Sequence, residues 1–63
     1  MAIKKLVLII PVALPFGSGG VYKEINLHIV DSISLSGNNF LIKYGSCCLV
    51  IPPYNVAYYE YKE

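Results

Sequence analysis

Val21-Tyr22-Lys23-Glu24-Ile25-Asn26-Leu27-His28-Ile29-Val30-Asp31-Ser32-Ile33-Ser34-Leu35 decides the fold class. Ile25, Leu27, Ile29, Ile33 and Leu35 hold odd positions, while Asn26, His28, Ser32 and Ser34 hold even ones. A period of two marks a β-strand with one dry face and one wet face. The stretch therefore predicts one long strand whose odd side chains enter the core. Asp31 interrupts the apolar series and predicts a bulge or bend beside it.

Downstream, Ser36-Gly37-Asn38-Asn39 reads as a hairpin turn, because Gly and Asn tolerate positive φ. Phe40 to Tyr44 is the next strand, with Phe40, Ile42 and Tyr44 on one side and Leu41 and Lys43 on the other. Gly45-Ser46 turns the chain into a strand from Cys47 to Ile51. Pro52-Pro53-Tyr54-Asn55 is a rigid corner before a last strand, Val56 to Tyr61. Upstream, Ile3 to Leu14 is a near-continuous apolar run, which predicts burial on both faces. Pro11 lacks a backbone donor and belongs at an edge, bend or bulge. Pro15 to Gly20 is a flexible connector. No segment carries helical periodicity.

The reading is an all-β single domain, residues 1–63, with five strands and no substantial helix. A long bent strand, two tight hairpins and a short corner before the last strand resemble the strand order of SH3-like and Sm-like small barrels. That resemblance implies a partly open, five-stranded antiparallel barrel. It is a likeness of strand order, and a fold shared in this way carries no function.

A chain of 63 residues buries only about 60% of its unfolded surface. Small domains need a staple: a disulfide, a metal or a partner subunit. Charged residues make up 14% of the chain and hydrophobic ones 56%, against a usual charged share of roughly 25%. So few charges cannot coat the large surface of a small domain, which predicts that another chain covers part of it in a homo-oligomer. The net charge is +1, and all the basic residues are lysines. Nucleic-acid binding by one protomer is disfavoured, since arginine is the principal reader of guanine edges and phosphate binding needs several cations.

Met1 to Lys5 followed by Leu6 to Phe16 has the outline of a secretory leader, a charged start and then an apolar run. It lacks an A-x-A cleavage site, and Pro11 and Pro15 interrupt it. It is also too short to span a membrane. The expectation is a structural strand in a cytoplasmic protein, in the host cytoplasm if the protein is viral. Secretion after leader cleavage is the alternative.

Three features are candidates for a site. Gly17, Ser18, Gly19 and Gly20 form a candidate anion-binding loop, whose successive backbone donors would face a phosphate. The loop lacks the Lys-Ser or Lys-Thr ending of a P-loop, so a pliable strand connection is the plainer reading. Tyr54, Tyr58, Tyr59 and Tyr61 cluster near the end of the chain and are candidate interface or ligand contacts. Alternation sends Tyr59 and Tyr61 to one face and Tyr58 to the other. His28 completes the contact set. It lacks a paired nucleophile, and no catalytic residue is assigned. No CxxC or HxxxH spacing is present, so no metal and no cofactor are expected.

These features point to a non-enzymatic binding and assembly protein that engages or inhibits another protein. Compact proteins of this kind are common among inhibitors encoded by viruses and mobile elements. The first alternative is an oligomer that captures a small molecule, such as a nucleotide, between subunits. The second is an Sm-like RNA-binding ring.

Cys47 and Cys48 are adjacent, and in a strand neighbouring side chains point to opposite faces. They are read as small, buried or half-buried hydrophobes in a reduced compartment. Thiol counting on unfolded, unreduced protein is expected to find both, with a melting temperature that reductant leaves unchanged.

Overall fold

A computed structural model describes residues 2–15 and 20–62. Six strands follow one another: β1 (Ile3–Ala13), β2 (Val21–Asn26), β3 (Ser32–Ser36), β4 (Asn39–Tyr44), β5 (Cys47–Ile51) and β6 (Val56–Tyr61). A single 3-10 turn, Pro53–Asn55, sits at the expected corner, and there is no α-helix among the described residues. The strands form two antiparallel three-stranded sheets, one ordered β2-β1-β6 and the other β3-β4-β5. β1 packs against β3, and side chains from both sheets share one core.

The stretch Val21–Leu35 is two strands where one was expected. Asn26 breaks it. Its carbonyl accepts from the Ile29 and Val30 amides, each at 3.2 Å. Its side-chain Oδ1 accepts the His28 amide at 2.9 Å. An asparagine that satisfies nearby backbone donors in this way offers the chain a turn in place of a ladder. Leu27 and Ile29 are half-buried turn residues, His28 is exposed in the same turn, and Val30 enters the core. The expected inward face therefore holds fully only at Ile25 and Ile33, and Leu35 is exposed. The bend expected at Asp31 is present: its amide donates to the Lys43 carbonyl at 2.8 Å and starts the β3–β4 ladder. Its Oδ2 accepts the Gly45 amide at 2.7 Å, tying the β2–β3 turn to the β4–β5 turn.

Both hairpins close on two-residue turns, with Ser36 paired to Asn39 and Tyr44 to Cys47. Gly37 and Gly45 have φ of 63° and 57°, and no non-glycine residue has positive φ among those described. Positive φ at the first central position alone is the type II′ pattern, whose twist matches that of the flanking strands.

β1 departs from the expectation of burial on both faces. Ile3, Leu6 and Leu8, with Leu14 just past its end, are buried, but Ile9, Ile10 and Pro11 are exposed. The register with β6 shifts between Ile3 and Lys5, which brings both Ile3 and Leu6 inward. The register with β2 shifts between Val7 and Val12, and Pro11 lies within that irregular stretch. Cys47 and Cys48 are free thiols, and both are exposed where burial was expected. β5 lies at a sheet edge, and the register sets Cys47 beside Tyr44 and Cys48 beside Lys43.

Ile25 is fully buried in the core, with 0% exposure. Ile25→Ala is expected to cost about 2–5 kcal/mol, the usual range for a large-to-small core change. Ile29→Ala, in the turn, is expected to cost less, and the exposed Ser34→Ala about 0.5 kcal/mol or less. Urea midpoints measure all three. A larger loss at Ile29 than at Ile25 would mean that the strand continues through residue 29.

Candidate binding surface

β6 alternates as its sequence predicts. Tyr59 pairs with Leu6 and Tyr61 with Ile3, both buried residues of β1. The Tyr59 ring meets Phe40 of the other sheet at 5.1 Å between centroids and 63° between planes. Tyr61 meets Tyr59 at 5.4 Å and 84°. These edge-to-face contacts form a row from the buried Phe40 to the surface, each worth about 0.5–1.5 kcal/mol beyond area burial. Hydrogen bonding with Tyr59, then the charge interaction with it, then desolvation hold the Tyr61 phenol above its ordinary pKa.

Tyr58 points the other way and pairs with Val7. Lys5 lies over its ring, with Nζ 5.8 Å from the centroid. On this outer face Lys5 also joins the two strands that flank β1, reaching Glu24 of β2 at 3.7 Å and Glu60 of β6 at 3.9 Å. Lys4 reaches Glu60 at 3.9 Å. Glu24, then Tyr58 and Glu60, raise the pKa of the Lys5 ammonium. Such exposed ion pairs contribute little to stability. Their stronger effect is to commit the charge of Lys5 to partners within the chain.

A third group forms around Asn55, which the sequence did not single out. Its Oδ1 accepts the Ile10 amide at 2.8 Å, and its Nδ2 donates to the Ile10 carbonyl at 3.1 Å. The backbone ladder of β1 with β6 reaches only to the pair Leu8 and Val56. The Asn55 side chain carries it two residues further. Ile9 and Ile10 lie outside the core here, 54% and 66% exposed, and Tyr54, next to Asn55 in sequence, is 82% exposed. The available sequence signal was Pro11, a residue that cannot donate, set inside an apolar run.

The remaining candidates lie elsewhere. His28 sits in the β2–β3 turn, on a different element from the tyrosines. Gly17, Ser18 and Gly19 fall outside the described residues, while Gly20 is half-buried beside the Tyr22 ring. Among the described residues no cavity is enclosed, no three His, Cys, Asp or Glu side chains converge, and no helix is long and apolar enough to cross a membrane. No known family, curated protein or solved structure matches the chain.

The pairing of Tyr59 with Tyr61 has a titration signature. Tyr59→Phe removes the hydroxyl that favours the protonated form of Tyr61, so the pKa of Tyr61 is expected to fall toward the ordinary tyrosine value. Because the folded-state value is raised, the associated stability is present below the unfolded-state pKa and is lost as pH rises through the raised one. Alkaline difference spectra of both proteins read the shift, and an unchanged Tyr61 ionisation would show that the hydroxyls act independently.

Proposed function

We propose that this chain is a non-enzymatic binding and assembly protein, a homo-oligomer that engages another protein through its apolar and tyrosine-rich surface. The observation that carries this reading is the exposure of three large apolar residues, Ile9, Ile10 and Tyr54, at or next in sequence to the Asn55–Ile10 contact. Single apolar side chains are ordinary on any surface, and several large ones near one tether support an interface. The low charged content supports the same reading.

The finer architecture belongs to this proposal. β2 and β3, joined by the Asn26 turn, stand where the small-barrel order has one bent strand. β3, β4 and β5 form a meander, a 3-10 turn follows, and β6 returns to β1. That path supports a partly open small barrel with the SH3-like or Sm-like strand order. An inhibitory role in the cytoplasm, of a host where the protein is viral, fits a small binding module without catalytic groups.

The experiment combines sedimentation at micromolar concentration with native mass spectrometry of protein from its natural host. A dimer or larger species, in complex with a protein partner, is expected. An intact monomer without a partner overturns the reading, and a retained nucleotide replaces it with the captured-ligand alternative. Tyr54→Ser is expected to weaken assembly or partner binding by about 1–2 kcal/mol. Its fold should persist, because the ring is 82% exposed.

A further inference from the structure

The two sheets present four edge strands among the described residues: β2, β6, β3 and β5. Three of them are guarded. β2 carries Lys23 and Glu24, β6 carries Glu60, and β3 packs against β1. Charge and cover are the usual means by which native proteins keep sheet edges from pairing. β5 has neither. Its sequence Cys47-Cys48-Leu49-Val50-Ile51 holds no charge and no proline, and its register with β4 is continuous from Ile51 to Cys47. Cys47, Cys48 and Val50 are exposed.

We propose that β5 pairs antiparallel with β5 of a second copy of this chain about a two-fold axis at Leu49. This deepens the oligomer reading above and rests on it. The register follows from the hairpin. A two-residue turn closes on a hydrogen-bonded pair, here Tyr44 with Cys47, and antiparallel pairs then alternate between bonded and non-bonded. Residues 47, 49 and 51 bond to β4. Cys48 and Val50 therefore turn their amides and carbonyls to the free edge. A dyad at Leu49 sets Cys48 of each copy against Val50 of the other and satisfies all of these groups at once.

Side chains agree with this register. Leu41 and Val50 are neighbours on one face of the sheet, with Lys43 and Cys48 in the next row. Pairing extends the Leu41–Val50 row with Cys48 of the second copy and covers Val50, which is 52% exposed. The two Lys43 side chains fall in different rows with both β5 strands between them, so no like charges meet. A joint of this length buries less than the roughly 1,200 Å² of a standard interface. Association is accordingly expected to be weak and concentration-dependent.

The test reads backbone amides of the intact chain by hydrogen exchange across a concentration series, alongside sedimentation. Cys48 and Val50 amides are expected to gain protection as the dimer forms, while that of Leu49, already bonded to β4, changes little. Val50→Pro removes an edge-facing donor, which an edge strand tolerates. It is expected to raise the dimer dissociation constant by at least about tenfold, or 1.4 kcal/mol. Val50→Lys is expected to act in the same direction through edge charge. If the wild-type chain forms an oligomer in which the Cys48 and Val50 amides stay unprotected, the β5 joint is overturned and the oligomer reading stands. A wild-type monomer at every concentration overturns both.

Discussion

The fold depends on β1 being hydrogen-bonded along both edges. β2 follows β1 closely in sequence, but β6 lies some 50 residues away and brings the chain ends together, with the Lys62 amide on the Ala2 carbonyl at 2.7 Å. A strand held from both sides cannot slip to suit one neighbour alone. β1 meets this demand by shifting register, once against β2 and twice against β6. The shifts accompany the inward turn of Ile3, Leu6 and Leu8, while Ile9 and Ile10 stay outside the core. The exposure of Ile9 and Ile10 thus accompanies the pairing of β1 along both edges.

Charge is distributed with the same economy. Lys4, Lys5, Glu24 and Glu60 gather on the sheet that contains β1. The other sheet carries one charged residue, Lys43, with Ser32, Ser34, Ser36 and Asn39. Among the strands, the charges thus gather on one sheet, and the other carries a single lysine.

Local chemistry was legible in the sequence, and long-range pairing was not. Gly37 and Gly45 announced both hairpins, because a type II′ turn asks for glycine at one position. The bounds of β5 and β6 followed from these turns and from Pro52, and period two separated Tyr58 from Tyr59 and Tyr61. The break at Asn26 was hidden because Leu27 and Ile29 keep the odd-position rhythm while half-buried in a turn. Asparagine announces a turn only when its side chain finds the right amide, here that of His28. The exposure of Ile9 and Ile10 was hidden for a different reason: an apolar run reports the character of its side chains and not which of them the rest of the chain will cover. The bridge of Lys5 to Glu24 and Glu60 needed two strands, from opposite ends of the sequence, to be placed first.

The two hydrogen bonds between Asn55 and Ile10 also narrow what evolution can write at position 55. A peptide group offers a donor and an acceptor a fixed distance apart, and the asparagine amide reproduces that pair on a short side chain. Aspartate, of nearly the same shape, would face the Ile10 carbonyl with a second acceptor. Leucine would fill the space and offer neither group, and glutamine would carry the amide one methylene too far. Asparagine alone of these four offers both groups at this reach, and the next residue upstream is Tyr54, the most exposed tyrosine among the described residues. Drift at the surface of that patch can therefore proceed while its scaffold stays fixed.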